Sequence, residues 1–144
     1  MYEITRYHDF SAGHRVYGHE SKCGHLHGHN YRIHFSVRPE GALDNLGRVI
    51  DFSIVKSTLC DWLEENWDHK FLVCDEDPVL EILVQLDPEG VVVVPFNPTA
   101  EHMASYLVTV VAPSLLDGTG VVLWGCTVEE TRKCAASYFL VDAK

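Results

Sequence analysis

The sequence predicts an α+β domain in which helices pack on one face of an antiparallel sheet of about four strands. Two observations predict this class. Segments with alternating apolar residues lie near both ends of the chain, at residues 2–16, 29–37, 121–131 and 135–141. Between them lie segments with the spacing of amphipathic helices. The order strand, strand, helix, helix, strand, strand is typical of an α+β architecture.

The helical segments are predicted from apolar stripes and from residues that favour helix starts. Ser53 is the expected N-cap of the first helix, and Asp51 is expected to help begin it. A short second helix is expected at residues 77–86, followed by a short strand at residues 91–94. The next helix is expected to have Pro98 in its first turn and to end at Pro113.

Length and composition limit the class of protein. The chain has 144 residues, 47% hydrophobic and 22% charged, which fits a single domain spanning residues 1–144. Its formal net charge of −10 argues against nucleic acid or a membrane surface as a partner, because both attract basic faces. The five cysteines are irregularly spaced and no apolar segment predicts secretion or a membrane span, so a cytoplasmic location is expected. The edges of a small sheet favour a homo-oligomer.

Five of the nine histidines lie at positions 14, 19, 25, 27 and 29. His27 and His29 are two residues apart on an extended segment, so their side chains project to one face, and Gly28 allows close backbone approach. His14 lies near the end of the preceding strand, within reach of cross-strand neighbours. Three neutral imidazoles leave a tetrahedral zinc ion with one open position, so we predict a catalytic zinc site. The alternative is a loop of surface histidines, the class assigned to His8, His19 and His34.

Cys23 lies four residues before His27, and this spacing leaves two roles open for its thiol. It could be a fourth ligand, which would give a closed structural site. It could instead lie beside the ion as a reactive thiol. The other cysteines occupy apolar segments and are expected to be buried: Cys60, Cys74, Cys126 and Cys134.

Three further segments carry candidate residues that are weak when taken singly. Asp68 directly precedes His69, and a carboxylate beside an imidazole can fix its tautomer, although a solvated turn is the alternative. Glu130 ends a strand, where a carboxylate can bind an amidine-like ligand edge through two hydrogen bonds or can simply be exposed. Thr99 and Glu101 have the positions of ordinary helix-start residues.

Taken together, six motifs occur in the order found in one protein family. They are Phe10-Ser11-Ala12-Gly13-His14, Cys23-x-x-x-His27-Gly28-His29-Asn30-Tyr31, Ile50-Asp51-Phe52, Asp68-His69, Asn97-Pro98-Thr99-x-Glu101 and Glu130-Thr131. Over residues 2–140 the chain resembles the 6-pyruvoyltetrahydropterin synthase family. The short gap between Cys23 and His27 resembles the gap in one branch of the family, which makes 6-carboxy-tetrahydropterin in the queuosine pathway. The pyruvoyl branch typically has a longer gap.

The resemblance implies roles for the metal and proton-transfer residues. His14, His27 and His29 match the family's zinc ligands. Cys23 matches the catalytic thiol, which favours the second of its two roles. His69 matches the proton-transfer residue and Asp68 the residue that orients it.

The resemblance also implies a pterin substrate. Glu130 matches the carboxylate that anchors the pterin, while Thr99 and Glu101 match pocket-lining positions. The implied reaction converts 7,8-dihydroneopterin triphosphate to 6-carboxy-5,6,7,8-tetrahydropterin, with release of acetaldehyde and triphosphate. The alternatives are formation of 6-pyruvoyl-tetrahydropterin and a non-catalytic zinc- or pterin-binding protein. The unranked candidates for triphosphate binding are Arg15, Lys22, Lys70, Arg132 and Lys133.

The implied architecture is the tunnelling fold. In this fold, trimers close their sheets into a barrel, two trimers stack into a hexamer, and the active sites lie between subunits. The chain departs from the 6-carboxy branch at two places. Its segment at residues 74–96 is longer than in the shortest members, and Ala100 replaces a hydroxyl residue.

Overall fold

Six strands form one sheet within the residues that the computed structural model describes, 1–19 and 21–141. Residues 142–144 of the predicted domain lie outside that part. The strands are β1 (Ile4–His14), β2 (His27–Pro39), β3 (Phe71–Cys74), β4 (Val91–Val94), β5 (Val121–Glu129) and β6 (Ala135–Phe139). Their order across the sheet is β4-β3-β1-β2-β5-β6.

The prediction of a sheet of four strands, all antiparallel, is wrong, because the sheet has six strands and two of its pairings are parallel. β1, β2, β5 and β6 pair antiparallel in succession, as predicted. β3 and β4 extend the sheet through two parallel pairings, β1 with β3 and β3 with β4. The sequence indicated β4 but not β3. A strand covered on both sides is a short apolar run without alternation, so periodicity alone does not reveal it.

The helices are α1 (Phe52–Val55), α2 (Asp61–Asn66), α3 (Leu80–Leu86), α4 (Ala100–Tyr106) and α5 (Ala112–Leu115). A π-helical turn at Lys56–Cys60 joins α1 to α2, and another at Leu107–Val111 joins α4 to α5. In the described part of the chain, none of these helices is long and apolar enough to cross a membrane.

Four expected helix boundaries differ from the structure. The helix expected at residues 77–86 is α3, which begins at Leu80. Asp51, not Ser53, is the N-cap of α1, and its carboxylate accepts a hydrogen bond from the Ser53 N–H at 2.8 Å. Thr99 caps α4, so Pro98 precedes that helix instead of lying in its first turn. Pro113 does not end the helical segment. It lies in the first turn of α5, directly after the π-helical turn, and the helical segment continues to Leu115.

The hydrophobic core lies between one face of the sheet and the two helical segments, as predicted. Alternate residues of β2 such as Ile33 and Phe35 are fully buried, whereas Arg32 and His34 face the opposite side. Because side chains alternate along a strand, the core-facing side of β2 continues through Tyr31 to its first residues. The sheet therefore carries its core residues and its first histidines on the same face.

One cysteine departs from its expected burial. Cys60, Cys74 and Cys126 are buried, but Cys134 is exposed in the turn between β5 and β6. Connecting turns run over the surface, so an apolar neighbourhood in sequence does not bury a residue there.

Candidate active site

The register of β1 against β2 brings three histidines together. His14 pairs directly with His27, and Ala12 pairs with His29, so all three imidazoles lie on the core-facing side of the sheet. Their ring centroids are 4.6 to 5.0 Å apart. One ring nitrogen from each lies within 4.8 Å of the others. This cluster is called the three-histidine site below.

Two backbone carbonyls fix how these rings are protonated. His14 Nδ1 lies 2.7 Å from the carbonyl oxygen of Pro98, and His27 Nδ1 lies 2.7 Å from that of His25. A carbonyl can only accept, so each Nδ1 must carry the proton and donate. The lone pair of each ring is then on Nε2. Such carbonyl partners are typical of histidines that bind metal ions through their other nitrogen.

Two Nε2 atoms of this site, those of His14 and His29, are buried. Neither has a hydrogen-bond partner among the described residues. Burial lowers the pKa of both imidazoles, which favours their neutral form. Buried neutral imidazoles with free lone pairs that converge are the donors that a divalent metal ion such as zinc prefers. The residues present therefore fit a metal ion.

Glu130 lies against the three-histidine site. It directly follows β5, and its Oε1 is 3.3 Å from His14 Nε2 and 3.4 Å from His29 Nε2. Glu130 also lines a cavity of about 220 Å³, which it shares with Glu101 and Cys134. The structure thus brings Glu130 to the histidines and Glu101 to the same cavity as Glu130.

The Tyr31 hydroxyl also lies in this region, although the sequence motif that ends at Tyr31 assigned no role to it. It is buried without a hydrogen-bond partner in the described part of the chain. Its ring lies 5.5 Å from that of His29 and 6.0 Å from that of His14. Burial, and secondarily the charge of Glu130, raises the pKa of Tyr31 well above its ordinary value. The hydroxyl therefore stays protonated and is a free donor. Its spacing two residues beyond His29 was the signal that could have identified it.

Asp68 and His69 form the hydrogen-bonded pair that their adjacency suggested. His69 Nδ1 and Asp68 Oδ2 are 2.8 Å apart. The other carboxylate oxygen accepts the Ser11 N–H at 3.1 Å, and the His69 N–H donates to the Ser11 carbonyl at 2.7 Å. Partial burial opposes ionisation of Asp68, but the hydrogen bonds from His69 and Ser11 hold its pKa below the ordinary value. The pair is thus a carboxylate and an imidazole anchored to β1.

The backbone of His69 is strained. Its φ of 60° is the one positive value at a non-glycine position in the described residues. Such conformations cost about 1 to 3 kcal/mol and cluster at functional sites. The His69 side chain is 81% exposed, and it borders a cavity of about 630 Å³ together with His27 and His29. The strained turn therefore presents an exposed imidazole to a cavity that His27 and His29 also line.

Cys23 and Thr99 take less direct positions. Cys23 lies in a 3₁₀ turn at Lys22–Gly24, on the loop between the two ligand-bearing strands. Within the part of the chain that is described, its thiol is not a member of the metal-binding cluster. The Thr99 side chain accepts the His102 N–H at 3.2 Å, which is a helix-capping contact.

The five candidate cations are not equivalent. Arg15 is engaged in an ion pair with Asp77, and Lys70 Nζ donates to the Glu89 carbonyl at 2.7 Å. Arg132 lines a cavity of about 640 Å³ that Asp68 and His69 also line. Lys70 directly follows His69 and lines the cavity of about 630 Å³ with it.

The chain matches the model of one protein family along almost its whole length. That family is 6-pyruvoyl tetrahydropterin synthase, matched over residues 3–140. A 6-carboxy-5,6,7,8-tetrahydropterin synthase of Rickettsia felis is 33% identical over 135 residues, covering 93% of this chain and 97% of that protein. A probable 6-carboxy-5,6,7,8-tetrahydropterin synthase of Halobacterium salinarum is 38% identical over 127 residues, covering 88% of this chain and 79% of that protein.

Solved structures share the fold. The 6-pyruvoyl tetrahydropterin synthase of Caenorhabditis elegans superposes with a TM-score of 0.69 at 25% identity, over 97% of this chain and 96% of that one. An uncharacterized protein of Wolinella succinogenes superposes with a TM-score of 0.82 at 24% identity, over 96% of this chain and 97% of that one. The fold and the sequence together define an enzyme of the pterin synthase class. The chain belongs to the 6-pyruvoyl tetrahydropterin synthase family, which confirms the predicted membership.

Replacing His14 with Gln tests the three-histidine site. The substitution removes one of three converging lone pairs, and we expect the affinity for Zn²⁺ to fall by more than about 100-fold, since loss of an outer-shell partner alone costs 10- to 100-fold. The measurement is competition against a chromogenic chelator. His34→Gln, on the opposite face of the sheet, is the matched control and should bind as the parent does. Equal affinity of the two variants would contradict the assignment.

Proposed function

We propose that this chain is a zinc-dependent lyase that converts 7,8-dihydroneopterin triphosphate to 6-carboxy-5,6,7,8-tetrahydropterin, with release of acetaldehyde and triphosphate. The observation that carries this proposal is the convergence of three imidazoles beside Glu130, two of which line a cavity together with His69. The names of the curated relatives at 31–38% identity support the 6-carboxy product.

Zinc held by His14, His27 and His29 would acidify the hydroxyl groups of the substrate side chain. Its three protein ligands are neutral, so the ion keeps its full positive charge for this purpose. The carbonyl oxygens of Pro98 and His25 hold two of the rings in the tautomer that leaves Nε2 free.

Glu130 would anchor the pterin ring. An ionised carboxylate can accept two parallel hydrogen bonds from the guanidine-like edge of a pterin. Because Glu130 lies within 3.4 Å of two histidine nitrogens, a pterin bound to it would lie next to the metal position. Glu101, in the same cavity, would line the pocket, and we assign Thr99 to the support of that wall through its capping of α4.

Cys23 and His69 would move protons between the ring and the side chain of the substrate. Asp68 keeps the proton of His69 on Nδ1, because its carboxylate can only accept there. The Nε2 atom of His69 is then free to take a proton from the substrate. Two separate acid–base groups would suit a reaction that removes a proton at one carbon and returns one at another.

Incubation with 7,8-dihydroneopterin triphosphate followed by mass analysis tests the reaction itself. The proposal predicts 6-carboxy-tetrahydropterin and one equivalent of acetaldehyde. A 6-pyruvoyl product without acetaldehyde would establish the alternative that the family name and the Caenorhabditis elegans structure favour. Absence of turnover by zinc-loaded protein would support a non-catalytic binding protein.

Replacing Cys23 with Ala separates the two roles of the thiol. As an acid–base group it should contribute about 10²- to 10⁴-fold to kcat, so turnover should fall by that factor while zinc content stays at the parental level. Zinc content is measured by elemental analysis. Cys134→Ala is a control for general effects of removing an exposed thiol on zinc content. Loss of zinc with Cys23 would make the thiol a ligand and contradict the proposed role.

We also infer a homo-oligomer, a hexamer built as a dimer of trimers with active sites between subunits. Two features support a neighbouring subunit at the site. The His69 side chain is 81% exposed in the single chain, and the sheet ends in two strands, β4 and β6, that each pair on one side only within the described residues. Light scattering should give a mass of six chains, and a monomeric mass would contradict this inference.

A further inference from the structure

Arg15 directly follows His14 in the chain and forms an ion pair with Asp77. Arg15 Nε lies 2.7 Å from one oxygen of Asp77, and Arg15 Nη2 lies 2.9 Å from the other. The Asp77 side chain is fully buried, and Asp77 and His14 are the two buried polar residues in the described part of the chain. The Val79 N–H also donates to this carboxylate, at 3.0 Å. A buried carboxylate needs such a full set of donors.

The same guanidinium reaches the loop that carries Cys23. Its remaining nitrogen, Nη1, donates to the carbonyl oxygen of Gly24 at 3.3 Å. Gly24 directly follows Cys23 in the 3₁₀ turn. Arg15 therefore connects the segment after β3, through Asp77, to the turn that holds the thiol.

Other contacts restrict this turn to one conformation. The Val16 N–H donates to the Cys23 carbonyl at 2.7 Å. The side chain of Asn97 accepts the Tyr17 N–H at 2.8 Å and donates to the Tyr17 carbonyl at 2.9 Å. A Cβ atom on Gly24 would lie 2.7 Å from the His19 carbonyl oxygen, so only glycine fits there. The loop is thus held at both ends, and among its described residues Arg15 is the side chain that binds Asp77.

We propose that Arg15 and Asp77 are positioning residues that fix the Cys23 turn on the loop between the two strands that carry the three histidines. What the positioned thiol does rests on the proposed function. Asp77 also neutralises the charge of Arg15. This gives a role to the beginning of the longer segment at residues 74–96, which supplies Asp77.

Replacing Asp77 with Asn removes the charge and keeps the shape. We expect amide hydrogen exchange at residues 16–25 to rise and alkylation of Cys23 by iodoacetamide to accelerate about tenfold, both read by peptide mass analysis. Zinc content should not change. With substrate, kcat should fall about tenfold or more with little change in KM, because a displaced acid–base group is lost mainly from the transition state.

Asp44→Asn is the matched control. Asp44 also accepts an arginine Nε, from Arg48 at 2.9 Å, and two backbone amides, but it lies in the exposed loop after β2. It should leave exchange at residues 16–25, alkylation and turnover at the parental level. If Asp77→Asn fails to fold, Arg15→Lys serves instead, since it keeps the charge and loses the forked contact.

The possible outcomes separate this inference from the proposed function. Amide hydrogen exchange and alkylation of Cys23 are measured without substrate. They therefore test whether the ion pair holds the loop in place, even if the reaction differs from the one proposed. Unchanged exchange and alkylation in the variant would overturn the inference. Faster exchange and alkylation with unaltered kcat would overturn the positioning role while leaving the reaction intact.

Discussion

The pairing of β1 with β2 is the constraint on which the site depends. Phe10 faces Tyr31 across the two strands, and four residues further along β1, His14 faces His27. Because side chains alternate along a strand, a slip of one residue would move both the core residues and the histidines to the opposite face. Burial of the aromatic residues therefore fixes the register that also assembles the ligands.

Two glycines allow the backbones of β1 and β2 to approach closely where the histidines meet. Gly13 pairs with Gly28 between the ligand pairs. A Cβ atom on Gly28 would lie 3.0 Å from the Ala12 carbonyl oxygen, and one on Gly13 would lie 2.5 Å from the Phe71 ring. Side chains at these positions would separate β1 from β2 or from β3. The glycine of the His-Gly-His motif thus has a packing role in addition to leaving space for a ligand.

Sequence patterns predicted the parts of the site that are local in the chain. His27 and His29 are two residues apart on one strand, and Asp68 and His69 are adjacent, so spacing was sufficient. Asp77 and the Pro98 carbonyl were missed because their partners, Arg15 and His14, lie 62 and 84 positions away in the chain. Every residue has a backbone carbonyl, so no residue type in the sequence marks the one that binds His14 Nδ1. Arg15 was included among possible phosphate ligands, since sequence cannot show that a buried carboxylate already holds it.

The elements of the fold that were predicted are likewise those with a local pattern in the sequence. The four antiparallel strands have alternating patterns and were predicted, whereas β3 is apolar on both faces and was not. The helix starts at Asp51 and Thr99 are local capping events, and the sequence located them to within two residues. Parallel pairing of β3 beside β1 places Asp68 and His69 against Ser11 of β1, three residues before His14, so the position of this pair depends on the strand that was missed.

X-ray absorption at the zinc edge tests the central claim, a three-histidine ion with one open position. The account predicts three imidazole nitrogens at about 2.0 to 2.1 Å, one further oxygen, and no sulfur. The spectrum of Cys23→Ala should be the same as that of the parent. A sulfur ligand at about 2.3 Å that disappears in this variant would show a closed site and contradict the account.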